Sequence, residues 1–109
     1  MPTVYKTLGQ SNPSATTATT LYTVPSATST VLSTLTVCNQ SSTAGTFRIA
    51  VRPAGASLTA SQYIAYDTPI AGNDTIALTL GITLATTDVV TIYASSATMS
   101  FSAFGSEIS

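Results

Sequence analysis

Apolar residues recur at every second position through much of this chain, and helical spacing is nowhere sustained. The clearest run is TFRIAVR, residues 46–52. Phe47, Ile49 and Val51 share one face while Thr46, Arg48, Ala50 and Arg52 share the other, as in a strand with one side in the core. Residues 75–84 repeat the pattern, with Ile76, Leu78, Leu80, Ile82 and Leu84 on one face and Thr75, Ala77, Thr79, Gly81 and Thr83 on the other. In residues 31–38, Val31, Leu35 and Val37 alternate with Leu32, Thr34 and Thr36. Residues 89–94 and 98–104 read as two further strands, and 21–24 and 63–66 as shorter ones.

Turn residues punctuate these runs at 25–27, 39–45, 53–55, 69–74 and 94–97. Seven or eight short strands about ten residues apart, with no helical crossovers, predict an all-β fold: an antiparallel, jelly-roll-like β-sandwich. Residues 70–105 read as strand, loop, strand, loop, strand in an up-and-down ending. The expected core is Val31, Leu35, Val37, Phe47, Ile49, Val51, Ile76, Leu78, Leu80, Ile92 and Phe101. Residues 1–20 carry one short alternation at Val4 and then polar sequence with Pro13, which predicts an extended N-terminal arm or an edge strand ahead of a sandwich domain at 21–109.

At 109 residues the chain is the size of one domain. Charged residues make up only 6% of it, where roughly a quarter is usual, yet its mean hydropathy is +0.37. Serine and threonine supply roughly a third, so the outward positions are hydroxyls and alanines. A net charge of −1 removes the clustered cations that nucleic acid or an anionic membrane surface would need. It also does little to keep molecules apart in solution, which suits a surface covered by neighbours. No stretch approaches the ~18 apolar residues of a membrane helix, and MPTVYKTLGQ lacks the basic segment and apolar run of a signal peptide.

Chemistry-bearing residues are scarce. With no histidine and a single cysteine, the usual zinc sites and the Ser-His-Asp triad lack their parts, so neither a metal nor another cofactor is expected. Cys38 reads as a small packed residue, without an adjacent cation to lower its pKa. Of the carboxylates, Asp74, Asp88 and Glu107 sit at turns or strand ends, where bonding the local backbone is the ordinary role. Asp67, in YDTPI, reads as a salt-bridge partner. The triplets at Asn39 and Asn73 read as turns rather than glycosylation sites. The five tyrosines, Tyr5, Tyr22, Tyr63, Tyr66 and Tyr93, suit core-edge packing, an interface or a sugar-stacking platform. Enzymatic activity is not expected.

Taken together, TLGQSNPSATTATTLYTVPSATSTVLSTLTVCN, TFRIAVRPAG, YIAYDTPIAGNDTIALTLGITLATTDVV and SFSAFGSEI resemble small β-sandwich virion proteins of tailed bacteriophages. The likeness spans nearly the whole chain and is most specific from LYTVP to VCN and from IAGNDT to GITL. It implies a structural protein made in the host cytoplasm and carried on the particle exterior. The leading expectation is a capsid decoration (cement) protein that binds across adjoining major capsid protein subunits, with copies of itself as a homotrimer. The alternative is a tail or tail-fibre component, an adaptor or a receptor-binding piece that takes up carbohydrate. A free carbohydrate-binding module built on the tyrosines and Asp67 is a third possibility. The expected interface residues are Arg48 and Arg52, ~13 Å apart on one strand face, with Tyr5, Lys6 and Asp67. The two guanidinium groups suit carboxylates such as Asp67 or Glu107 of the same chain, or those of a neighbour.

Overall fold

The computed structural model describes residues 3–109, apart from the side chain of Leu80. Eight strands follow one another: β1 (Thr3–Ser11), β2 (Thr19–Thr23), β3 (Ser29–Asn39), β4 (Gly45–Arg52), β5 (Tyr63–Ile70), β6 (Thr75–Leu84), β7 (Val89–Ala94) and β8 (Met99–Ile108). Short 3-10 turns at Pro53–Gly55 and Ala60–Gln62 lie between β4 and β5. One sheet, the first, runs β1-β8-β3-β6; the second runs β2-β7-β4-β5.

That order has a simple generator. β1 pairs with β8, β2 with β7, β3 with β6 and β4 with β5, all antiparallel, so the chain is one long double ribbon folded at the β4–β5 connection. Rolling the ribbon adds the pairs β3–β8 and β4–β7 and closes two four-stranded sheets over one core. This is the jelly-roll sandwich that the strand pattern predicts. The up-and-down ending does not form. β6 and β8 lie in the first sheet on either side of β3, and β7 lies in the second. Strand spacing alone does not distinguish a short loop that returns within a sheet from one that arches across to the other.

The interior holds Leu21, Val24, Leu32, Leu35, Val37, Phe47, Ile49, Ile70, Leu84, Val90, Ile92, Met99, Phe101 and Ala103, all buried. Phe47 and Phe101, one from each sheet, meet edge to face with centroids 6.3 Å apart. Leu35, Val37, Phe47, Ile49, Ile92 and Phe101 are therefore core residues as expected. Val51, Ile76 and Leu78 are only half-buried and pack against the core from its margin, Ile76 and Leu78 because β6 is an edge strand and Val51 near the end of β4. Leu80, also expected inside, is the side chain outside the described residues.

Val31 is a correction. It points outward, half-buried, and Leu32 takes the core position. Between Leu32 and Thr34, β3 carries one residue more than its partner β8, a bulge that reverses which parity faces inward. Ser33 Oγ donates to Phe104 O at 3.1 Å across the irregularity. The same break runs across the sheet: β1 has an extra residue between Thr7 and Gly9, and β6 has its own near Gly81, whose φ is 60°. The first sheet is creased along this line.

Residues 3–11 are the edge strand β1, in register with β8 from Thr3 opposite Ile108 to Ser11 opposite Phe101. At one end of the sandwich, buried Asn39 gathers the loops. Its Nδ2 donates to Thr43 O (2.9 Å) and Ala71 O (3.3 Å), and its Oδ1 accepts from Ser41 N and Thr98 Oγ1 (3.1 Å each). The Asn39 triplet is thus a turn-organising element, as its sequence suggests, with its amide turned into the protein.

Candidate functional site

Alternation on β4 puts Arg48 on the outer face of the second sheet. Tyr93 of β7 lies opposite it in register, and Tyr66 approaches from β5 on the other side. The guanidinium carbon is 4.2 Å from the centroid of each ring, so the planar cation is sandwiched between two tyrosines. Asp67 completes the arrangement with a paired contact: Arg48 Nε donates to Oδ1 at 2.6 Å and Nη2 to Oδ2 at 3.3 Å. Tyr63 adds a third ring, edge to face against Tyr66 at 4.9 Å and 84°.

A local irregularity makes this possible. Phe47 pairs with Thr68 and Ile49 with Ala65, so β5 spends an extra residue at Tyr66–Asp67. Asp67 takes up the bulge with φ of 48°, a left-handed conformation that an aspartate adopts more readily than most residues. The bulge lets two consecutive side chains reach the same guanidinium. Each charge stabilises the other: the Arg48 hydrogen bonds hold the Asp67 carboxyl below the usual carboxylate range, and Asp67 raises the Arg48 pKa further.

Arg52 does a different job. Its Nε donates to Ala56 O (2.7 Å), its Nη2 to Gly55 O (3.0 Å) and its Nη1 to Thr91 Oγ1 (3.4 Å). Asp88 Oδ1 accepts from Ala54 N at 2.9 Å. Together they lay the Pro53–Gly55 turn on the second sheet, which is why Ala50, Val89 and Thr91 are buried despite their outward parity. Gln62 closes the remainder of the connection, accepting from Thr59 N (2.9 Å) and donating to Ser57 O (3.1 Å). The connection thereby presents Leu58, Thr59 and Ala60 beside Tyr63 and Tyr66, around an open depression of about 540 Å³. Tyr66 is 58% exposed and Ile64 47%.

On the other sheet, Lys6 of β1 pairs with Glu107 of β8 at 2.9 Å. Glu107 also accepts from the hydroxyl of buried Tyr22, which lies 2.8 Å from the hydroxyl of buried Thr30. Burial, then the carboxylate beside it, pushes the Tyr22 phenol up to about 12, and the Tyr22 and Lys6 hydrogen bonds hold Glu107 low. Glu107 is therefore a link between the sheets, not the local backbone acceptor its position suggests. Asp74 and Asp88 do have that role, accepting from Thr75 N and Ala85 N at 2.9 Å. On the outer face of the first sheet Tyr5 (84% exposed), Val31 and Phe104 line a shallow groove with Thr7, Ser33 and Ser106; Val4 is exposed beside it on the same strand. Cys38, half-buried on β3, is a free thiol.

Of the expected interface residues, Arg48 and Asp67 meet each other, Lys6 meets Glu107, Arg52 holds a loop and Tyr5 stands exposed. The tyrosine partners of Arg48 are not legible as such in the sequence. Residues 48, 66 and 93 come together only because β7, β4 and β5 are neighbours. Among the described residues, no three His, Cys, Asp or Glu side chains gather into a metal-binding group. Compared with family models, curated proteins and solved structures, the chain matches none.

Proposed function

We propose that this chain is a non-enzymatic structural protein of a tailed-bacteriophage virion, a capsid decoration protein that lies across adjoining major capsid protein subunits in contact with copies of itself. The observation that carries this reading is how the charges are used. The chain has three basic and four acidic residues, and all seven are engaged in holding the fold: Lys6 with Glu107, Arg48 with Asp67, and Arg52, Asp74 and Asp88 with backbone groups. The exposed charges are thus compensated within the chain, and the rest of the surface is largely hydroxyl, alanine and a few apolar side chains, suited to close neutral contact with neighbours. Edge strands β1, β6, β2 and β5 present backbone groups for such contact. β1 places Val4 and Tyr5 there while its one charge is neutralised by Glu107, so it carries little of the usual protection against strand addition.

The test is attachment to particles. Purified chain is added to heads lacking it, and bound copies are counted per particle. Decoration predicts copies on the order of the capsid subunit number; copies limited to a vertex or a tail ring would support the tail reading instead. Val4→Lys and Tyr5→Lys leave the β1–β8 backbone pairing available but charge the edge, and they should abolish attachment while the monomer stays folded. Undiminished attachment of both variants would remove β1 from the interface.

A further inference from the structure

We infer that the outer face of the second sheet around Tyr63 and Tyr66 is a binding site for a neutral saccharide. The inference does not depend on where in a particle the chain resides. Two rings, Tyr63 and Tyr66, border the depression with Leu58, Thr59 and Ala60, so its surface combines aromatic and aliphatic carbon with a hydroxyl. Such a surface matches a pyranose ring, which offers an apolar face of C–H groups and a rim of hydroxyls.

The polar groups next to it, behind the lining residue Tyr66, have the right form for that rim. Arg48 and Asp67 are a donor and an acceptor fork joined by two hydrogen bonds. The Asp67 side chain remains 45% exposed, which leaves carboxylate lone pairs open to hydroxyl donors. Among the described residues Arg48 Nη1 donates to no protein acceptor, so it can serve a hydroxyl oxygen. A vicinal diol is a small neutral group that can both give to a carboxylate and accept from a guanidinium.

Charge balance selects the class. The cation and anion of the site cancel, so a phosphate or acidic sugar finds no uncompensated positive charge and a basic ligand no uncompensated negative one. Size argues against a protein partner at this spot: five residues line the depression, whereas a specific protein interface uses about 20–30 residues a side. The site is also held in advance. Arg48 is clamped between Tyr66 and Tyr93, and Arg52 and Gln62 fasten the connection that carries Leu58 and Thr59, so little order has to be gained on binding.

The experiment titrates the full chain with neutral hexose oligosaccharides of glucose, galactose and mannose, and with an acidic glycan for contrast, following the tyrosine ring resonances by NMR. At least one neutral oligosaccharide should shift the Tyr63 and Tyr66 rings with a Kd of about 1 mM or tighter, leaving Tyr5 on the opposite sheet unmoved. Tyr66→Ala should weaken that binding about tenfold, Tyr66→Phe should retain most of it, and Tyr5→Ala should not alter it. An unchanged methyl spectrum in Tyr66→Ala shows that the fold persists. If that variant is misfolded, Leu58→Ser is read instead, with the same loss expected. The inference is overturned if no neutral oligosaccharide moves these rings, if the acidic glycan binds more tightly, if the Tyr66→Ala affinity is unchanged, or if the rings shift with protein concentration alone, the mark of a second copy on the site.

Discussion

Tyr22 and Glu107 belong to opposite sheets, and the Tyr22 hydroxyl donates to the Glu107 carboxylate across the interior. Thr30 and Lys6 satisfy the remaining groups, so a buried phenol and a largely covered carboxylate are held without a stranded polar atom among the described residues. The network joins β1, β2, β3 and β8 at one end of the sandwich. Removing the Tyr22 hydroxyl takes one of two partners from Glu107 and leaves the buried Thr30 hydroxyl without its side-chain partner, at a cost of about 1–3 kcal/mol.

Stability should therefore depend on pH at both extremes. Folding raises the Tyr22 pKa from near 10 to about 12, so this contribution is complete below pH 10 and is lost as pH climbs towards 12. Folding lowers the Glu107 pKa, so its contribution is complete above the ordinary carboxylate range and is lost as pH falls through the folded value. Urea midpoints measured from acid to alkali should show both declines. Tyr22→Phe should be less stable at pH 7, by about 1–3 kcal/mol, and should lack the alkaline decline between 10 and 12. An alkaline limb identical to that of the wild type would place the responsible group elsewhere.

Asp67 offers a separate reading of the stacked cation. In the wild type its carboxyl should titrate below the usual carboxylate range, with the associated stability present above that range and lost as pH falls through the lowered folded value. In Arg48→Ala the carbon resonance of the Asp67 carboxyl should follow an ordinary titration, while amide spectra keep the dispersed pattern of the sandwich. An unchanged titration in that variant would mean that Arg48 does not govern Asp67.

Two glycines should respond differently to the same change. A Cβ on Gly105 would lie 2.0 Å from the carbonyl oxygen of Val31, a collision with backbone at the centre of the crease. Gly105→Ala should cost about 3 kcal/mol or prevent folding. At Gly81 the space is open and only the positive φ resists, so Gly81→Ala should cost about 1–2 kcal/mol. Equal losses in thermal or urea unfolding would contradict the crease geometry.

Leu35 and Leu78 face each other across β3 and β6, yet Leu35 is fully buried and Leu78 stands at the margin. Leu35→Ala should cost about 3–5 kcal/mol by opening a cavity, and Leu78→Ala about 1–2 kcal/mol, since its site is partly open to solvent. A Leu78 loss as large as that of Leu35 would show that something else covers β6.

Much of this structure is written in short-range pattern. The period of two along 46–52 assigned Phe47 and Ile49 to the core and Arg48 to the surface, because a strand turns alternate side chains to opposite faces whatever its neighbours are. Proline, glycine and asparagine marked the turns, and Asp74 and Asp88 bond nearby backbone groups because the geometry of a turn is local. The shortage of charge likewise specified a surface of hydroxyls and small side chains. Tertiary structure decided the rest. Whether Val31 or Leu32 enters the core depends on a bulge at Ser33, which exists only relative to the partner strand β8. Whether β6, β7 and β8 form a meander or alternate between sheets depends on which edges the rolled ribbon brings together. The Tyr66–Arg48–Tyr93 stack exists only once β5, β4 and β7 lie side by side in one sheet, and the Lys6–Glu107–Tyr22 network only after the two sheets have closed.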